Sequence, residues 1–127
     1  MANNKNAHIR PDLKVGKLAK LAFETYFRNP DKTEIKNLQD GEYCHSVFGT
    51  KTTMPVLKTV QEIQQAPNGI HVGEAGFYKV HYWAKPVLQF DGVSYRVCND
   101  WHEPSARQPV DNRTSLEVWI RRMGITL

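Results

Sequence analysis

The chain predicts an α+β domain with N-terminal helices and a small, mainly antiparallel β-sheet carrying an Asp-Gly hairpin. A C-terminal helix packs on that sheet. Three observations lead there. Residues 77–98 are dominated by β-branched and aromatic residues, with Asp91-Gly92 between two apolar runs. Asp-Gly supplies the positive φ angles of a two-residue hairpin turn. The segments after Leu13 and after Thr114 both repeat apolar residues at helical spacing, the mark of amphipathic helices. With 127 residues, 40% of them hydrophobic, one core-bearing domain is expected over residues 12–127, behind a polar arm at residues 1–11.

Taken in order, Asp12 is placed to cap a first helix over about residues 13–28. At ~100° per residue, Val15, Leu18, Ala19, Ala22, Phe23 and Tyr26 share one face. Lys17, Lys20, Glu24 and Arg28 share the other, where Lys20–Glu24 and Glu24–Arg28 are i,i+4 neighbours expected to pair. Gly16 lowers helix propensity by ~1 kcal/mol near the start, where that is tolerable. Asn29-Pro30-Asp31 stops this helix, and Asp31 or Thr33 caps a second over residues 32–39. A short third helix over residues 42–48 ends at Gly49. Residues 50–58 read as irregular, then extended around Met54-Pro55-Val56-Leu57. Residues 58–65 fit a strand or a short helix, with helix preferred. Ala66-Pro67-Asn68-Gly69 is a turn, residues 70–72 a short strand and residues 73–76 a loop. Beyond the hairpin, residues 99–111 read as loop with one helical turn near Trp101. Thr114 and Glu117 form a capping-box signature. Leu116, Trp119, Ile120 and Met123 make one stripe, and Gly124 ends the helix.

The net charge of +4 is unevenly placed. Residues 1–28 hold six basic and two acidic side chains, and the remainder balances. A local basic patch attracts polyanions or acidic protein surfaces, although a solvated helix face is the plainer reading. No apolar run approaches the ~20 residues of a membrane span. Met1-Ala2-Asn3-Asn4-Lys5-Asn6 lacks the apolar stretch of a secretion signal, so a cytoplasmic protein away from membranes is expected. Cys44 and Cys98 are then more naturally buried thiols than a disulfide.

Ile35-x-x-Leu38-Gln39-Asp40-x-x-Tyr43-x-x-Ser46-x-Phe48-Gly49 and Pro55-Val56-Leu57-Lys58 resemble a small module of bacterial restriction- and nuclease-like proteins. Tyr82-Trp83-x-Lys85-Pro86, Gly92-x-x-Tyr95-x-Val97-Cys98-x-x-Trp101 and Trp119-Ile120 resemble its second half. The resemblance covers most of residues 13–124. It implies a shared fold and a defence or mobile-element setting, and it carries no catalytic residue. Where the module has an aromatic after Trp101, this chain has His102.

The leading expectation is a non-enzymatic module that binds DNA, RNA or a nucleic-acid-binding protein. Lys14, Lys17 and Lys20 on the first helix and Arg121 and Arg122 on the last are the candidate phosphate contacts. Trp83, Trp101 and Trp119 are more readily explained as core than as base-stacking platforms. The second expectation is a small nuclease. His102 and Glu103, with Asp100 nearby, lie in a loop beyond a strand, with His81 as a candidate general base and Arg96 as a phosphate-charge stabiliser. A lone sheet histidine is, however, usually structural. The third is a phage-type inhibitor that binds only a protein. Asp12-Leu13-Lys14 and Glu34-Ile35-Lys36 match the tail of a PD-(D/E)xK site but fall in predicted helices, which excludes them. Cys98-x-x-x-His102 and Cys44-His45 have zinc-like spacing, yet nothing in the sequence brings the two halves together, and no metal is assigned. GxGxxG, P-loop and GxSxG motifs are absent, so no cofactor and no serine nucleophile are assigned.

Overall fold

The computed structural model describes residues 8–50, 54–66, 70–73, 80–106 and 109–127. Lys5, the turn residues 67–69, the loop at 74–76 and the strand start at 77–79 lie outside them. The fold is α+β. In chain order it runs α1 (Val15–Tyr26), α2 (Lys32–Asn37), α3 (Gly41–Phe48), β1 (Leu57–Thr59) and α4 (Val60–Gln64). Then come β2 (His71–Val72), β3 (Val80–Phe90), β4 (Val93–Cys98) and α5 (Asn112–Arg122). The four-stranded sheet has the order β1-β4-β3-β2. β4 pairs antiparallel with both β1 and β3, and β2 lies parallel to β3.

The hairpin forms where the dipeptide demands it. Asp91 and Gly92 have φ of 53° and 77°, the two left-handed positions of a type I′ turn, and Phe90 pairs with Val93 across it. Farther along, the register of β3 against β4 shifts between Tyr82 and Val87. Arg96 fills that irregularity, donating to the Ala84 carbonyl at 2.6 Å.

All six apolar positions assigned to the inner face of α1 are buried. So are Leu116, Trp119 and Ile120 of α5. Between these helices and α3 lies an aromatic cluster: the Phe23 ring is 4.9 Å from Trp119 and 6.0 Å from Trp101, and Phe48 is 5.4 Å from Trp101. Burying one such ring removes roughly 150–250 Å² from water, so this cluster dominates the core. Trp101 does not start a helical turn. Its indole N–H donates to the Cys98 carbonyl at 2.8 Å, and the ring enters the core.

Both predicted caps at the ends of the chain give way to neighbours. Asp12 is held by the Arg10 guanidinium at 3.0 and 2.8 Å, so it caps nothing. α1 starts later, with an extended Lys14 as N-cap and no side-chain cap of its own. Thr114 lies inside α5, because Asp111 is the cap and accepts both the Thr114 N–H and its hydroxyl. Glu117, freed from the expected box, is buried against Arg113 at 2.8 Å. The predicted Lys20–Glu24 and Glu24–Arg28 pairs do not form; Glu24 has no ion pair among the described residues. Residues 57–64 hold a strand and then a helix. The break is a capping box, with Thr59 accepting from the Glu62 N–H and Glu62 accepting from the Thr59 N–H.

The described part of the N-terminal arm is packed down. Arg113, on α5, is 6% exposed. It donates to the carbonyls of Leu13 at 2.5 Å and of Ile9 and Arg10 at 2.8 Å each. One guanidinium therefore holds the turn that delivers the chain into α1.

Candidate functional site

The N-terminal half of α1 forms one wall of a groove of about 480 Å³. Lys14, Lys17 and Lys20 recur at steps of three, which places them along a ridge of ~9 Å. Trp83 from β3 and Trp101 make the floor, and His102 and Glu103 complete the lining. Gly16 belongs to the same wall, and a Cβ there would sit 3.7 Å from the Trp83 ring.

Each side chain has a definable role. The Lys20 ammonium lies 4.8 Å from the Trp83 ring centroid, a cation–π distance. Lys14 and Lys17 are exposed and have no carboxylate within ion-pair reach among the described residues. Trp83 and Trp101 are only 2% and 7% exposed. They form a floor that also belongs to the core, in line with the packing role expected of them.

Glu103 accepts the Val15 N–H at 2.9 Å and lies 3.5 Å from Arg113. It supplies from 88 positions away the cap that α1 lacks locally, a contact to which a helix N-terminus is suited. His102 is fixed at both ends. Its backbone N–H donates to Asn112 at 2.8 Å, and its Nε2 lies 2.6 Å from Asp100 Oδ1. Since a carboxylate only accepts, Nε2 is the donor in this contact.

The groove therefore gathers three of the five candidate phosphate contacts and two of the three candidate catalytic residues. The others lie elsewhere. Arg121 faces Glu117 at 3.9 Å. Arg122 donates to Tyr43 at 2.9 Å and stands 3.8 Å from the buried Glu34 carboxylate. His81 does not line the groove; its ring lies 6.2 Å from that of His71, and its Nδ1 is buried without a partner among the described residues. Arg96 is committed to the Ala84 carbonyl.

The thiols are built into the core. Cys44 donates to the Leu38 carbonyl and accepts the Val56 N–H, both at 3.3 Å, and burial pushes it up to about 11. Burial also raises Cys98. Neither is poised as a thiolate nucleophile. Among the described residues no three His, Cys, Asp or Glu side chains converge as metal ligands.

Sequence reasoning missed Gly16 as part of the groove wall, and missed Glu103 as the cap of α1. The one local clue was the three-residue spacing of the lysines beside a glycine. What fold and site define is an α+β domain with a basic, tryptophan-floored groove. No protein-family model, curated protein or solved structure matches the chain.

Proposed function

We propose that the protein is a non-enzymatic module that binds nucleic acid through the lysine ridge of α1. The observation behind this reading is the gathering of Lys14, Lys17 and Lys20 around one groove. Phosphate oxygens need positive donors on an accessible wall, and these lysines provide them. The resemblance to restriction-like modules supports a defence or mobile-element setting in a bacterium or phage, acting in the cytoplasm.

The test is fluorescence anisotropy with labelled DNA and RNA at two salt concentrations. Three phosphate contacts give a log–log salt slope of roughly −2 to −3. Reversing charge in Lys17→Glu/Lys20→Glu is expected to abolish the salt-sensitive binding. Unchanged affinity in that variant overturns the proposal. No binding to any nucleic acid does so too, and points to a protein partner.

One arrangement favours a second reading, a small nuclease. His102 lines the same groove, oriented by Asp100 at 2.6 Å, and a carboxylate-oriented imidazole suits general acid–base work. Glu103, engaged at the start of α1, is then a positioning group. Cleavage of single- or double-stranded substrate, with or without Mg²⁺, that is lost in His102→Ala would establish this reading. Binding without cleavage removes it.

A further inference from the structure

We propose that His71 and His81 hold a divalent transition-metal ion of the zinc class, in a site on the sheet outside the lysine groove. The inference is independent of the nucleic-acid reading above.

The strand pattern is the first argument. β2 lies parallel to β3 and sets His71 against Val80, the neighbour of His81, at an irregular point of the ladder. The two imidazole rings come to 6.2 Å between centroids, with their planes at 41°. On the other side of β3, Tyr82 pairs with Cys98, and the Asn99 N–H donates to the His81 carbonyl at 3.0 Å. His81 and Asn99 are thus the next cross-strand pair, and their side chains share a face. His71, His81 and Asn99 form a row across the sheet.

Unmet hydrogen bonding is the second. His81 Nδ1 and Asn99 Nδ2 are buried, and neither has a hydrogen-bond partner. Among the described residues they are the two side-chain atoms in that state. Buried polar atoms are nearly always satisfied. Two orphans on facing residues of one row therefore call for a partner that the chain does not supply.

Distance sets the class of that partner. An imidazole nitrogen lies about 1.1 Å from its ring centre and binds zinc at ~2.0–2.1 Å, so two rings on one ion stand about 5.2 Å apart in tetrahedral geometry and ~6.4 Å apart in linear geometry. The observed 6.2 Å lies inside that window. His71 is exposed, so its ring is free to turn toward the tetrahedral value and the ion has a path in. Imidazole donors select zinc, cobalt, nickel or copper, whereas magnesium and calcium take oxygen. Rotating the Asn99 amide exchanges its nitrogen for its oxygen, a third donor, and water fills the remaining position.

Equilibrium dialysis of the full chain against about 20 µM zinc at pH ~7.5, followed by metal analysis, tests the site. The wild type is expected to retain about one equivalent, and His71→Gln and His81→Gln about fivefold less each. His71→Gln alters an exposed position and leaves the core alone; a urea unfolding curve verifies that it folds. Dialysis at pH ~5 is expected to strip the ion, because imidazole binds metal only when neutral. Retention below about a tenth of an equivalent by the wild type overturns the inference and leaves the row to a bridging water. Equal retention by the wild type and a folded His71→Gln, or undiminished retention at pH ~5, overturns it as well.

Discussion

Replacing Arg113 by methionine removes the clamp between α5 and the entry to α1 while keeping most of the apolar stem. Four hydrogen bonds go: three to the carbonyls of Ile9, Arg10 and Leu13, and one to Glu117 at 2.8 Å. The carbonyls lie near the surface, where water replaces much of what is lost. Glu117 sets the magnitude. It is 4% exposed, and without Arg113 it keeps Arg121 at 3.9 Å and the His8 ring at 3.1 Å as neighbours. Leaving one member of a buried ion pair alone costs about 3–5 kcal/mol, and these neighbours move the figure toward the lower end. With a urea m-value of about 1–3 kcal/mol/M, the midpoint falls by roughly 1–3 M. Removing the stranded carboxylate as well, in Arg113→Met/Glu117→Met, recovers at least half of the loss, since a well-packed apolar pair often equals a buried ionic one. Urea unfolding followed by tryptophan fluorescence measures both variants. A single-variant loss below ~1 kcal/mol, or a double variant no more stable than the single, would falsify the clamp as described.

Three further outcomes are expected. Gly92→Ala places a Cβ at φ of 77° with open space around it, so the loss is backbone strain alone, about 1–2 kcal/mol in the same unfolding assay. Trp119→Phe removes the indole donor held 2.7 Å from Glu34. It costs roughly 1–3 kcal/mol, toward the lower end because Glu34 keeps the Tyr43 hydroxyl at 2.6 Å and Arg122 at 3.8 Å. Alkali is expected to destabilise the fold. Burial raises Cys44 from 9.0 to about 11, and burial followed by the Glu34 hydrogen bond raises Tyr43 from 10.0 to about 12. Both groups are held neutral in the fold. Their contribution is complete below the unfolded values and is lost as pH rises, from 9.0 to about 11 for Cys44 and from 10.0 to about 12 for Tyr43. Urea midpoints should therefore fall steadily above pH ~9, and a flat profile there would contradict the burial of these groups.

The fold was legible wherever one local signal dominated. The inner face of α1 and the stripe on α5 follow from helical spacing, and the Asp91-Gly92 turn follows from backbone sterics. Reading failed where two side chains competed for one partner. Asp12 went to Arg10 rather than to the helix, and Thr114 became a donor to Asp111. The Lys20 ammonium stands over Trp83, 63 positions away, and makes no ion pair with Glu24. Spacing alone does not weigh such competitions. The lysines of the groove were visible as charge. Their convergence with Trp83, His102 and Glu103 was not, because it depends on how β3 and the loop after β4 pack against α1. The capping box at Thr59 and Glu62 stood in the sequence and would have separated the strand from the helix that follows it.

The entry to α1 is secured by contacts that leap 88 to 104 positions along the chain. Such distant closures form late, after nearby segments have condensed. The entry to α1 is therefore completed only once the loop after β4 and α5 have joined it, and the groove wall beside that entry depends on both.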